Sequence, residues 1–360
     1  VSPAGEERPR VLADAVLDLP AGLRAGPAGP ADVADAVEIM REVDFAGCGR
    51  SEANAAEVAE ELGGPDVRWG EGACIVHRGG AAVAVALCFD GLAEDRGWDV
   101  DVYVRPTDPD REAVIGCLID AGLGAGQDRW AAVDADGLRP PIARSFCFAN
   151  DDRARAVLER RGFAEARRYW RMRIEHSQGP GSPATPAGSG MPSGYQLRTA
   201  SGPGEAASIH AVSNAAFADH FDSTPLPFER WLEFMTGPTS APDQWTVVEH
   251  GGGIVGFAIG SNRYAEGDAG YVASLAVLRE HRGRGLATQL LHARFADDAR
   301  LGRRATLLHC DSENLTGATR IYERVGMRVD QEVVAFHRPL VHLVQRRDAG
   351  AEQSRAGRTD

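Results

Sequence analysis

The chain has 360 residues, 43% of them apolar and 25% charged, a globular composition long enough for two ordinary domains. Its net charge of −13 disfavours general affinity for nucleic acid, and with no lysine among its 39 basic residues it has no amine for Schiff-base or pyridoxal chemistry. No run of apolar residues is long enough for a membrane span, and the first twenty residues carry charges throughout with no apolar signal region, so a cytoplasmic protein is expected.

The first half opens with "LRAGPAGPADVADAVEIM" (Leu23 to Met40). "ACIVHRGGAAVAVALCF" (Ala73 to Phe89) is two β-like runs around a Gly-Gly turn, a hairpin signal. "WDVDVYV" (Trp98 to Val104) adds a strand, a helical run follows, and "GLGAG" (Gly122 to Gly126) is expected to be a loop that ends it. A further strand, the helix of "NDDRARAVLERRGF" (Asn150 to Phe163) and a closing strand complete this half. "HSQGPGSPATPAGSGMPSG" (His176 to Gly194) is Gly/Pro/Ser-rich and reads as a flexible linker.

The second half repeats the order. "LRTASGPGEAASIHAV" (Leu197 to Val212) opens it, "WTVVEHGGGIVGFAIG" (Trp245 to Gly260) is the hairpin and "GYVASLAVL" (Gly270 to Leu278) the next strand. "NLTGATRIYERVGM" (Asn314 to Met327) matches Asn150 to Phe163, with Asn, Ala, Glu, Arg and Gly at the same places. This predicts a duplicated α/β domain: residues 1–175, a linker over 176–194, a second copy over 195–345, and a disordered tail over 346–360. Each copy is expected to be a mixed sheet with helices on its faces.

Between strand and helix of the second copy lies "LREHRGRGLATQLL" (Leu278 to Leu291). A helix N-terminus has unpartnered N–H groups and a positive dipole, and Gly283 and Gly285 allow bare backbone to approach an anion there. Arg282 and Arg284 add charge. The stretch is a candidate phosphate loop, although the lysine-containing nucleotide loop is absent and Thr288 breaks the dinucleotide fingerprint. The six cysteines form neither C-x-x-C nor a paired His spacing, so reduced thiols and no metal site are expected.

Arg282-x-x-Gly285-x-Ala287, followed by Asn314 and by Tyr322 eight residues on, resembles the GCN5-related N-acetyltransferase (GNAT) family, and the duplicated layout resembles its tandem members. The resemblance implies two GNAT-like domains, each a mixed, mostly antiparallel twisted sheet with helices on both faces. It implies acetyl-CoA as co-substrate, held by Leu275, Ala276, Val277, Arg282, Gly283, Arg284, Gly285, Leu286, Ala287, Thr288, Asn314 and Tyr322. It also gives roles: a backbone N–H of Leu275 or Ala276 polarises the thioester carbonyl, Val277 pairs with the pantetheine arm, and Asn314 heads the next helix. Tyr322 then protonates the leaving thiolate.

For the general base the sequence offers Tyr271, Ser274, His309 and His220 without deciding among them. In the first copy Asp110 and Glu112 replace the two loop glycines and Leu158 replaces Tyr322, so that copy is expected to be degenerate. The expected activity is acetyl transfer to a small amine-bearing metabolite in the second copy. The rival is a non-catalytic acyl-CoA-binding or regulatory module. Oligomeric state and the identity of the acceptor have no signature in the sequence.

Overall fold

The computed structural model describes residues 17–51, 53–64, 67, 72–90, 97–131, 141–176, 190–218, 225–237, 239–313 and 317–340. The first half contributes strands β1 (Leu23–Pro27), β2 (Ala73–Arg78), β3 (Ala81–Asp90), β4 (Gly97–Val104), β5 (Ile142–Phe148) and β6 (Ala164–Glu175). Its helices are α1 (Val33–Cys48), α2 (Ala55–Gly63), α3 (Arg111–Ala131) and α4 (Asp152–Arg160). The second half contributes β7 (Tyr195–Thr199), β8 (Ser240–His250), β9 (Gly253–Ser261), β10 (Ala269–Val277), β11 (Ala305–Asp311) and β12 (Arg328–Pro339). With them come α5 (Ala206–Phe217), α6 (Phe228–Met235), α7 (Leu286–Arg300) and α8 (Ala318–Arg324). Both hairpins turn where the sequence places them: Gly79 and Gly80, and Gly251 and Gly252, all have positive φ, which the tight β2–β3 and β8–β9 turns require.

The duplication is visible, but the halves are not separate sheets. All twelve strands form one sheet in the order β1-β2-β3-β4-β5-β12-β6-β11-β10-β9-β8-β7. The last strand of each half has crossed into the other. β6 pairs antiparallel with β11, from Ala305↔Glu175 to Asp311↔Tyr169, while β12 pairs antiparallel with β5, from Val333↔Phe148 to Pro339↔Ile142. β6 and β12 then pair with each other at the centre. Neither half therefore completes its sheet alone.

Alternation along the strands sends side chains to two helical layers. Val85 and Leu87 of β3 pack with α1 and α2, whereas Ala84, Ala86 and Cys88 pack with α3 and α4. Phe257 and Ile259 of β9 face α5 and α6, and Ala258 faces α7. All six cysteines are free thiols; Cys74 and Cys88 are buried and the others half-buried.

"GLGAG" is not a loop. Gly122, Gly124 and Gly126 lie inside α3, and the glycines let the helix approach β4. A Cβ at Gly122 would be 2.5 Å from Val100 Cγ1, and one at Gly126 2.5 Å from Trp98 Cδ1. Trp98 Nε1 donates to the Gly122 carbonyl at 2.8 Å across the same contact. Gly124 faces open space. The two positions should respond with opposite sign. Gly122→Ala is expected to destabilise by about 1–2 kcal/mol, because overpacking outweighs the gain in helix propensity. Gly124→Ala should stabilise by about 0.5–1 kcal/mol. Thermal melts of both variants check this; equal shifts would remove the close-packing account.

Two features prepare the second half's site. First, β10 and β11 run parallel only from Ala269↔Ala305 to Tyr271↔Leu307, then separate and leave a split. Second, α7 is fixed above that split by a buried network. Arg294 donates to Asp298 Oδ1 at 2.9 Å and to the Gln244 carbonyl at 3.1 Å, while Asp298 Oδ2 accepts from Thr306 Oγ1 at 2.6 Å. Gly260 and Gly270 make room: a Cβ there would be 2.8 Å from Arg294 Cζ and 2.1 Å from Asp298 Cγ.

Candidate active site

The split between β10 and β11 opens into a cleft of about 450 Å³ under α7 and α8. Leu275, Ala276 and Val277 of β10 line it, with Arg282, Gly283, Gly285, Leu286, Ala287 and Thr288 of the loop and helix start, and Tyr322 of α8. Of the expected site residues, Arg284 is not in the lining; its guanidinium donates to the Glu280 carbonyl at 3.2 Å. Asn314 and His220 lie outside the described residues. The residue immediately before α8 is Gly317, with φ 72°, so the left-handed kink at Gly317, and not Asn314, begins that helix.

Gly283 and Gly285 have φ of 75° and 79°, a region that side chains disfavour. A Cβ at either would meet no atom within 4 Å. Their backbone thus looks onto open space at the start of α7, where no side chain caps the first turn. That leaves helix N–H groups and the positive dipole end available to an anion. Arg282 acts differently from a free phosphate ligand. Its guanidinium donates to the carbonyls of Val277 and Ala216, both at 3.0 Å, and so ties the loop to β10 and α5. Two arginines that the sequence reading missed, Arg320 and Arg324, are exposed on α8 and line the same cleft. Their four-residue spacing on one helix was the available signal. Among the described residues the lining contains no carboxylate, a marked local reversal in a chain of net charge −13.

Strand geometry separates Leu275 from Ala276. Leu278 N–H donates to the Val255 carbonyl of β9. Alternation therefore turns the backbone of Ala276 toward β9, and that of Leu275 and Val277 toward the open side. The β10–β9 register shifts between Val272 and Ser274, a bulge at Ala273 that re-aims the strand just before Leu275. The equivalent β4–β3 pairing runs without a shift from Ala84↔Val104 to Asp90↔Trp98.

Tyr322 is buried among Met172, Leu308, Val325 and Met327 beneath the cleft it lines. Burial, with the Cys310 thiol nearby, pushes its phenol above the ordinary range, so it stays a proton donor at neutral pH. On the opposite face of the split, Tyr271 and His309 are joined by a 3.1 Å hydrogen bond from the phenol oxygen to Nδ1. Tyr264 packs edge-on against Tyr271 at 5.2 Å. His309 is exposed at its outer edge; surrounding protein, then Arg171 and Arg263, lower its pKa and leave it neutral. Arg263 is in turn held by Glu57 and Glu61 of α2, at 2.5 and 3.1 Å, and its carbonyl accepts from Asn54 at 3.1 Å. The first half thus braces this wall.

The first half's split is arranged otherwise. Asp110 precedes α3, and Arg78 bridges Asp108 and Asp110 at 3.0 and 2.8 Å. Glu112 is within 4 Å of Arg153 and Arg160. Arg111 grips Asp151 at 3.0 and 2.5 Å, a clasp from α3 to α4 across the position of the second half's Gly283 and Gly285 loop. Leu158 stands where α8 carries Tyr322. Among the described residues there is no cluster of metal-binding side chains, and no helix is long and apolar enough to cross a membrane.

Comparison with known proteins agrees with this geometry. Residues 208–327 match the Acetyltransferase (GNAT) family. The chain is 28% identical over 228 residues to the mycothiol acetyltransferase of Thermobispora bispora, spanning 62% of this chain and 74% of the relative. It superposes on a GCN5-related N-acetyltransferase from Sphaerobacter thermophilus with a TM-score of 0.75 and 28% identity, over 89% of this chain and 97% of that one. A tandem GNAT protein from the clavulanic acid biosynthesis pathway shares the fold, with a TM-score of 0.65 and 16% identity over 89% of this chain and 99% of that one.

Proposed function

Since the chain belongs to the GNAT acetyltransferase family through residues 208–327, we propose that it transfers the acetyl group of acetyl-CoA to a small amine-bearing molecule in its C-terminal half. The observation that carries this reading is the cleft of about 450 Å³, without an acid among its described lining residues, which joins a glycine-lined helix N-terminus to Tyr322. Phosphate groups of the donor bind the N–H groups after Gly285, with Arg320 and Arg324 adding charge. The pantetheine arm lies along the unpaired side of β10, where Leu275 and Val277 turn their backbone outward.

Transfer is direct, within a ternary complex. The Leu275 N–H polarises the thioester carbonyl, and removing one such donor typically costs about 3 kcal/mol. A neutral amine attacks the carbonyl carbon, the carbon–sulfur bond breaks, and the departing thiolate takes the Tyr322 proton. The proton lost by the amine leaves on the side of Tyr271 and His309. The burial, and then the charges of Arg171 and Arg263, that keep His309 neutral also disfavour an ammonium beside it, so the acceptor enters its nucleophilic form. Likeness to a mycothiol acetyltransferase supports a small-molecule acceptor, without naming it.

The test is to incubate the full chain with acetyl-CoA and a library of small amines, reading thiol release together with the mass of the acetylated product. Release that depends on particular amines supports the proposal. Tight acetyl-CoA binding with no amine-dependent release favours a non-catalytic binding module instead.

A further inference from the structure

The N-terminal half retains a cavity of about 200 Å³ in the split between β4 and β5. Its walls are largely apolar and include Val102, Val104, Ile115, Ile119, Phe146 and Leu158. It is polar at one end, where Asp101 and Asp44 line it. Asp101 Oδ1 is sealed from solvent and has no hydrogen-bond partner among the described residues. A buried carboxylate oxygen without a partner is costly, and native structures usually satisfy such an atom.

The charge of this lining points to what would satisfy it. Asp44, Asp101 and Asp151 are its acids, and Arg111 is its one cation among the described residues. Arg111 is already spent on Asp151, through both guanidinium nitrogens, and on the Val104 carbonyl at 3.5 Å. An entering anion has no donor for the orphaned Asp101 oxygen, whereas an ammonium does. The C-terminal cleft differs, with three arginines and no acid among its described lining residues.

We propose that this cavity binds a primary aliphatic amine as its ammonium ion, with the ammonium against Asp101 and the hydrocarbon body among the apolar walls of the β4–β5 split. A cavity of roughly 150 Å³ with aliphatic and aromatic walls is enough for a six-carbon ring, so a chain of about five carbons fits. An ammonium has three donors, one of which serves the orphaned oxygen. The groups around Asp101 are consistent with this. Burial pushes its carboxyl up to about 8, helped by Asp99 and Glu61 and opposed by Arg144. Tyr103 is close by, and burial, then Asp101 and Glu61, raise its phenol. Ammonium uptake therefore strips a proton from Asp101 at pH 7, and affinity rises with pH toward 8. The site does not depend on acetyl transfer by the other half.

The experiment titrates the full chain with n-pentylamine, 1-pentanol and pentanoate, which share a shape and differ in charge. Calorimetry in two buffers of different ionisation enthalpy reads proton release. The amine is expected to bind at least tenfold tighter than the alcohol, with pentanoate weakest and a proton released on binding. Asp101→Asn, which keeps the shape and removes the charge, should erase the preference for the amine, while Gly285→Glu in the other half should leave it unchanged. Thermal melts establish that both variants are folded. Equal binding of all three probes, no binding of the amine, or an amine preference that survives Asp101→Asn would overturn the proposal.

Discussion

Replacing Tyr322 by Phe is expected to lower kcat about 100-fold while acetyl-CoA affinity stays near that of the parent protein. The substitution removes one hydroxyl. The ring remains packed among Met172, Leu308, Val325 and Met327, so neither fold nor cleft shape should change. What disappears is the proton for the departing thiolate, an interaction strengthened only as the carbon–sulfur bond breaks; such losses fall on kcat and not on ground-state binding. A factor of 100 corresponds to about 2.7 kcal/mol of barrier. Burial raises the Tyr322 phenol, which keeps it protonated, so the parent enzyme should lose no activity from this residue through the neutral and mildly alkaline range. A drop in kcat below about threefold would make Tyr322 a packing residue.

Gly285→Glu should weaken acetyl-CoA binding at least about tenfold, or 1.4 kcal/mol. Two effects add. The position has φ 79°, which costs a residue with a Cβ roughly 1–2 kcal/mol. The carboxylate then projects into the open space before α7 and competes with phosphate for the same N–H groups. Gly285→Ala carries the strain without the charge and should lose less. Calorimetry on the two variants separates the terms; unchanged affinity in a folded Gly285→Glu protein would take the loop out of the site.

Much of this site is legible because it is local. A strand, a loop with Gly283 and Gly285, and a helix are consecutive in the chain, and left-handed backbone at a helix start has a glycine signature. The Gly-Gly hairpins are legible for the same reason. What escaped the sequence reading depends on contacts between distant segments. β6 and β12 are recognisable as strands, but nothing local says that each pairs with the other half's fifth strand. "GLGAG" looked like a loop because glycine serves both turns and close helix–strand contact, and only the positions of Val100 and Trp98 decide between them. Arg282 looked like a phosphate ligand, yet its partners are carbonyls 5 and 66 residues away in sequence. The bulge at Ala273, which aims Leu275, has no residue signature, and the Arg111–Asp151 clasp joins residues 40 apart. The acids that replace the loop glycines in the first half were visible in the sequence. Their pairing with Arg78, Arg153 and Arg160 was not.

The central claim is that a duplicated fold keeps one acetyl-CoA site, in the C-terminal half. Because β6 and β12 are exchanged, the halves cannot be tested apart, and the measurement belongs on the full chain. Calorimetric titration with acetyl-CoA should give one equivalent bound per chain, and that heat should be lost or at least tenfold weakened in Gly285→Glu. Two equivalents, or one equivalent of unchanged affinity in Gly285→Glu, would contradict it.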